Sequence, residues 1–156
     1  MPTHLLAGAA APAFSLDTAG GGSVALSDYQ GKKLVLYFYP RADTEGCTKE
    51  AIAFNGLRRA FAEVDTAILG VSADPVPALD KFKKKHGLAF PLGSDPNQAM
   101  LTAYGVWGEK SMYGRRFMGV ERTTFLIDRD GRIARVWPKV RVPGHAEEVL
   151  AAARAL

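Results

Sequence analysis

The sequence predicts an α/β domain of three layers, with a mixed central sheet and a short N-terminal β-hairpin. Two apolar runs carry that expectation, Leu34-Val35-Leu36-Tyr37-Phe38-Tyr39 and Ala67-Ile68-Leu69-Gly70-Val71-Ser72. Runs without polar alternation suit strands covered on both faces by helices. Segments with apolar residues at helical spacing follow them. A third observation is Asp130-Gly131 between two further apolar segments, a strong hairpin signal. The order β-α-β-α-β-α-β-β-α indicates one domain over residues 1–156.

Each element has a local reason. Phe14, Leu16, Val24 and Leu26 flank the flexible Ala19-Gly20-Gly21-Gly22 and read as a hairpin. Ser27-Asp28-Tyr29-Gln30-Gly31 is a turn or a single helical turn. The run 34–39 ends at Pro40. Beyond a polar loop, Phe54, Leu57, Phe61 and Val64 fall three and four apart, the stripe of one helix. After strand 67–72 comes a helix over 76–86 that Gly87 stops. Phe90-Pro91-Leu92 is a short strand, and 96–104 a helix with proline at its start. Residues 106–120, with several glycines and basic residues, read as a loop. Strands 123–128 and 133–137 flank the Asp130-Gly131 turn, and 144–156 form a closing helix.

Composition narrows the function. The 156 residues carry a net charge of +4 and a single cysteine, which excludes a disulfide scaffold. Two Trp, five Tyr and eight Phe supply apolar surface that a disordered chain lacks. No apolar run approaches the roughly 20 residues of a membrane-spanning helix, so no membrane partner is expected. The start Met1-Pro2-Thr3-His4-Leu5-Leu6 has no basic region before a long apolar one. A cytoplasmic location is therefore the expectation. The basic run Lys81-Phe82-Lys83-Lys84-Lys85-His86 reads as the solvated face of an amphipathic helix. It lacks the interleaved stacking aromatics of a nucleic-acid binder, so no nucleic-acid partner is expected.

The chemistry falls where the first central strand ends. Sites in open α/β sheets favour the carboxyl ends of strands. Here that position holds Pro40-Arg41-Ala42-Asp43-Thr44-Glu45-Gly46-Cys47. With Thr44 as N-cap, Cys47 lies in the first helical turn, where unpaired N–H groups and the helix dipole favour a thiolate. A thiolate is the nucleophilic form, so the sole cysteine is placed to react. A buried cysteine is otherwise a small hydrophobe, and Pro40 and Thr44 have ordinary uses as strand end and helix cap.

These residues resemble a known family. Pro40-x-x-x-Thr44-x-x-Cys47 is similar to the peroxiredoxin active-site motif. The bacterioferritin comigratory protein, or peroxiredoxin Q, branch is resembled at Tyr37-Phe38-Tyr39-Pro40, Glu45-Gly46-Cys47-Thr48, Gly105-Val106-Trp107-Gly108-Glu109-Lys110 and Phe125-Leu126-Ile127-Asp128. The resemblance runs from Ala11 to the last helix. It implies a thioredoxin-like fold and reduction of hydrogen peroxide or organic hydroperoxides by a cysteine thiolate. By position, Cys47 is then the peroxidatic cysteine, Pro40 and Thr44 its motif partners, and Arg122 the family's arginine. Thr44, three residues before Cys47, shares its side of the helix and has a hydroxyl for the sulfur or a peroxide oxygen. Pro40 has no N–H to compete for the site. The fixed charge of Arg122 favours the thiolate and a developing oxyanion. Glu50 resembles an acid found there in other members, but a helix-surface carboxylate is an equal reading, and it stays outside the expected catalytic set.

The chain departs from the branch at one point. Ile52 stands where many members carry a resolving cysteine, and residues 76–86 contain none either. The resemblance thus implies a one-cysteine variant whose sulfenic acid is reduced by an external thiol: thioredoxin, glutaredoxin with glutathione, or another small thiol. It also implies a monomer or weak dimer. A redox relay to a partner protein, or a thioredoxin-like binding or holdase module, is the alternative. His4, His86 and His145 have no ligand spacing, so no metal is expected. No Lys-Ser/Thr follows Gly20-Gly21-Gly22, so no phosphate loop or other cofactor site is expected.

Overall fold

A computed structural model describes residues 3–156. The stretch read for an export signal begins at Met1, so its first two residues lie outside the described ones. The N-terminal hairpin is β1 (Ser15–Thr18) and β2 (Ser23–Ala25), with Leu16 opposite Val24. One turn of 3₁₀ helix, Leu26–Tyr29, leads into β3 (Lys33–Phe38). Then follow α1 (Glu45–Gly56), α2 (Arg58–Glu63), β4 (Thr66–Ser72) and α3 (Val76–His86). Next are β5 (Leu92–Ser94), α4 (Ala99–Ala103), β6 (Trp107–Met112) and β7 (Arg115–Val120). The chain closes with β8 (Thr123–Ile127), β9 (Ile133–Trp137) and α5 (His145–Ala155).

Seven strands form one mixed sheet in the order β2-β1-β5-β4-β3-β8-β9. The pairs β3–β4 and β4–β5 are parallel, and all other pairs are antiparallel. Every residue of β3 is buried, as its unbroken apolar run requires. Val35, Tyr37 and Tyr39 enter one core cluster, while Leu34, Leu36 and Phe38 enter the other. That alternation is the period of a strand lying between two layers. On the first face Phe54, Phe61, Leu79 and Val149 bring in α1, α2, α3 and α5. On the second, Met100 and Leu101 of α4 meet Phe14 and Tyr104. The expected three layers, mixed sheet and N-terminal hairpin are all present.

Close packing at the centre depends on Gly70. It pairs across the sheet with Tyr37, and a Cβ there would come within 2.8 Å of the Tyr37 ring. With that space open, Tyr37 stacks on Phe54 at 4.8 Å between ring centroids. Such rings bury large areas and fix α1 against β3.

Three local expectations are corrected. The apolar stripe from Phe54 to Val64 is shared by two helices, because Leu57 leaves helical geometry at φ −102° and ψ 5° directly after Gly56. Arg58 covers the exposed end by donating to the Asn55 carbonyl at 2.9 Å. The helix expected over 96–104 begins only at Ala99, since Gln98 adopts a left-handed φ of 57° and Pro96 lies in the preceding turn. The expected loop 106–120 is mostly a hairpin of β6 and β7, turned by Tyr113 and Gly114 with positive φ at both. Little of that hairpin is buried, so no apolar alternation marks it in the sequence.

Candidate active site

The final ladder bond of β3 is made by the Tyr39 N–H to the Val71 carbonyl at 3.1 Å. Pro40 follows and has no N–H to continue the ladder, so the chain leaves the sheet here. Residues 41–44 cross to α1 under three restraints. The Ala42 N–H donates to Asp74 Oδ2 at 2.7 Å, and the Ser72 hydroxyl donates to the same oxygen at 2.7 Å. Asp43, with φ 63°, accepts from Lys85 Nζ at 2.9 Å and lies 3.0 Å from His86 Nε2. These two partners, His86 first, hold the Asp43 carboxyl below its ordinary pKa. The third restraint is local: the Thr44 hydroxyl donates to the Arg41 carbonyl at 2.8 Å.

Thr44 is the N-cap residue in extended geometry, and its carbonyl accepts from the Thr48 N–H at 2.9 Å. Its side chain does not cap a helix N–H, contrary to the sequence expectation; the hydroxyl is turned to the Arg41 carbonyl instead. The hydroxyl oxygen keeps lone pairs that can accept a bond. Cys47, third residue of α1, is a free cysteine and 1% exposed. Its backbone N–H belongs to the first helical turn, where intrahelical acceptors are lacking.

Arg122 arrives beside β8, the antiparallel neighbour of β3, in the two-residue link between β7 and β8. Val140 fixes its backbone by donating to the Arg122 carbonyl at 2.9 Å. Nη2 donates to Cys47 Sγ at 3.4 Å, and Nη1 donates to Glu50 Oε1 at 2.6 Å. One guanidinium therefore joins sulfur and carboxylate through its fork. Burial works against the Arg122 charge, but Glu50 and Cys47 outweigh it and raise the guanidinium pKa. Burial also pushes Glu50 up to about 7 against the opposing pull of Arg122. Glu50 Oε2 is buried without a hydrogen-bond partner among the described residues, which is the local cause of that penalty.

The four expected site residues separate into a bonded pair and a supporting loop. Cys47 and Arg122 touch directly, whereas Pro40 and Thr44 shape the approach to α1. Sequence reasoning left out Glu50, whose register three residues after Cys47 was the available signal. It also missed Gly46, where a Cβ would lie 3.2 Å from Arg122 Nη2. Glycine thereby leaves room for the guanidinium to reach the sulfur. Among the described residues, no group of three His, Cys, Asp or Glu is placed to hold a metal ion. No helix among the described residues is long and apolar enough to cross a membrane. A cavity of about 410 Å³ beside Phe14, Tyr29, Leu34 and Ile127 sits at the amino end of β3, away from Cys47.

A mixed α/β sheet that delivers one buried, arginine-bonded cysteine on a helix start defines a thiol-based redox protein of thioredoxin-like fold. Residues 7–136 match the AhpC/TSA family, and the chain belongs to that family. It is 46% identical over 143 residues to Peroxiredoxin Bcp of Bacillus subtilis, covering 92% of this chain and 91% of that one. Among solved structures, Peroxiredoxin Q of Xanthomonas campestris matches with a TM-score of 0.87 and 45% identity. That match covers 91% of this chain and 90% of the other. Peroxidoxin BcpB of Mycobacterium tuberculosis matches with a TM-score of 0.87 and 36% identity, over 98% and 99%. The thioredoxin-like fold and the peroxiredoxin resemblance expected from the sequence are both confirmed.

Proposed function

We propose that this thiol-dependent peroxidase reduces hydrogen peroxide and organic hydroperoxides at Cys47, with an external thiol completing the cycle. The observation that carries the reading is the Arg122 bond to Cys47 Sγ at 3.4 Å, made inside a helix start. The thiolate sulfur attacks the terminal peroxide oxygen, the O–O bond breaks, and Cys47 becomes the sulfenic acid. The remaining alkoxide or hydroxide takes a proton and leaves as alcohol or water. Arg122 supplies a fixed cation for the charge passing from sulfur to the leaving oxygen. Thr44, with lone pairs open, accepts from the peroxide O–H, and Pro40 limits water at the loop. Alkyl peroxide reduction is named for the Xanthomonas campestris bacterioferritin comigratory protein, 44% identical with a TM-score of 0.87. That likeness supports organic hydroperoxides as substrates here.

The chain has one cysteine, so its own disulfide cannot follow oxidation. An external thiol therefore condenses with the sulfenic acid, and a second thiol releases Cys47. Thioredoxin and glutaredoxin with glutathione are the candidate donors. We assign the protein to the cytoplasm, where a reduced thiol pool would supply the donor, and read it as a monomer or weak dimer, as the family resemblance implies. The test is one equivalent of peroxide added to the reduced protein. Expected are a gain of one oxygen on Cys47 by mass and peroxide turnover once a thiol is supplied. Cys47→Ser should lose both, because a serine hydroxyl stays protonated at neutral pH. Turnover by Cys47→Ser within a few-fold of the parent overturns the assignment.

A further inference from the structure

We propose that the lysine-lined cavity between residues 41–44 and α3 admits the reducing thiol and selects small thiols that carry carboxylates. The inference rests on the peroxidase reading above. The cavity has a volume of about 570 Å³ and is lined by Ala42, Asp43, Lys81, Phe82, Lys84 and Lys85, among others. That volume lies within the usual range for small-molecule sites, and its floor includes the buried Phe82 ring. Its wall opposite α3 is the loop that leads to Cys47. Three lysine side chains thus border the space against the single carboxylate of Asp43. Lys85 already pairs with that carboxylate at 2.9 Å, while Lys81 and Lys84 form no ion pair among the described residues. Asp80, the nearby acid on α3, is turned away and accepts from the Gly20 N–H at 2.5 Å. The excess charge is positive and uncompensated.

Position gives this cavity a role beyond storage of charge. Cys47 is too buried for an incoming sulfur to reach it while residues 41–44 stay in place. Asp43 is tied to α3 by Lys85 and His86 and sits in a left-handed conformation that aspartate tolerates at some cost. A carboxylate entering the cavity competes with Asp43 for Lys85. Winning that competition removes the Lys85 restraint on the loop at the moment the thiol arrives beside it. Binding and opening are then one event, because the ligand favours the open loop by its own contacts.

The chemistry balances with two thiols. The first sulfur attacks the Cys47 sulfenic acid, an S–S bond forms, the S–O bond breaks, and the hydroxyl leaves with the thiol proton as water. The second thiol attacks the outer sulfur of the mixed disulfide. The low-molecular-weight disulfide departs and Cys47 regains its proton. The two electrons that reduce Cys47 come from the two thiols.

The test uses full-length protein oxidised with one equivalent of peroxide and rapidly mixed with mercaptosuccinate, mercaptoethanol or cysteamine. The readout is the ratio of second-order rates for dianionic and neutral thiol, compared between the parent and Lys81→Gln/Lys84→Gln. Comparing ratios cancels the intrinsic reactivity of each thiol. The ratio should fall about tenfold in the variant, and molar salt should produce a similar fall in the parent. Asp43→Asn, which weakens the tie of the loop to α3, should accelerate mercaptoethanol and narrow the gap between thiols. An unchanged ratio in Lys81→Gln/Lys84→Gln overturns the inference, as does equal slowing of all three thiols. Failure of the parent to consume the first equivalent of peroxide overturns the peroxidase reading instead.

Discussion

Glu50 and Arg122 form an ion pair of 2.6 Å beneath the sulfur of Cys47, with 2% of the Glu50 side chain exposed. Helix α1 carries the carboxylate and the cysteine on one face, and the β7–β8 link carries the guanidinium. The pair fixes the plane of the fork so that its second arm points at Sγ. A positive charge held by its own hydrogen bonds needs no rearrangement when negative charge develops on a peroxide oxygen.

Replacing Arg122 tests this arrangement most directly. Arg122→Met keeps much of the stem and loses the charge, whereas Arg122→Lys keeps a charge without the fork. A hydrogen bond to an ionised group is worth about 1.5–3 kcal/mol, or one to two orders of magnitude in rate. The second-order rate of peroxide reduction should fall by that amount in Arg122→Met and by less in Arg122→Lys. Stopped-flow mixing with peroxide alone isolates the step from reduction. Equal rates in parent and Arg122→Met would remove Arg122 from the site.

The pH dependence of stability should contain two opposed contributions. Glu50 has its folded pKa raised to about 7, so between about 4.5 and 7 the folded state binds more protons than the unfolded chain. Stability from Glu50 is therefore present at low pH and lost as pH rises, by about 1.4 kcal/mol per pH unit across that window. His145, buried beside Phe54 and Trp137, has its folded pKa lowered to about 4, chiefly by burial. There the unfolded chain binds the extra proton, and stability rises with pH between about 4 and 6.5. Urea melts of the parent should change little from pH 4.5 to 6.5. Glu50→Gln should reveal a rise with pH, and His145→Gln a fall. Parallel profiles for all three proteins would contradict the assignment.

Thr44 is judged by the contrast of two substitutions. Thr44→Ser keeps the hydroxyl that donates to Arg41 and can accept from a peroxide, while Thr44→Val keeps only the shape. Thr44→Val should lower kcat/KM for peroxide about tenfold or more, with Thr44→Ser close to the parent. The helix should survive both changes, since the side chain makes no capping bond to it. Similar losses in the two variants would show a packing role.

The sequence made legible what depends on short range. β3, β4, α3 and the β8–β9 turn follow from apolar runs, helical spacing and glycine placement. Cys47 is marked by the strand end before it, and Gly87 ends α3 with φ 60° as a C-terminal glycine does. Arg122 was reached through resemblance alone, because its contact with Cys47 spans 75 residues. Glu50 was undecided for the same reason: its burial is created by Arg122 and the sheet. The β6–β7 hairpin was missed because its strands cover no core, and the break at Leu57 because both helices continue one apolar stripe.

Gly46 links that long-range contact to a substitution with opposite effects on stability and activity. It is the second residue of α1 and lacks a positive φ, so alanine suits its backbone. Glycine in a helix is less stable than alanine by roughly 0.5–1 kcal/mol, and Gly46→Ala should raise the unfolding midpoint accordingly. The new Cβ, however, would lie 3.2 Å from Arg122 Nη2, closer than such contacts normally come. The Nη2 end of the long Arg122 side chain can yield by pivoting about its Glu50 bond, which stays at 2.6 Å. A shift of a few tenths of an ångström would carry Nη2 away from Sγ, from which it already stands at 3.4 Å. Peroxide reduction should therefore slow by about three- to tenfold while the protein becomes more stable. Thermal melts and peroxide stopped-flow on the same sample measure both signs. A variant that is stabilised and fully active would show that Arg122 reaches Cys47 without the space that Gly46 provides.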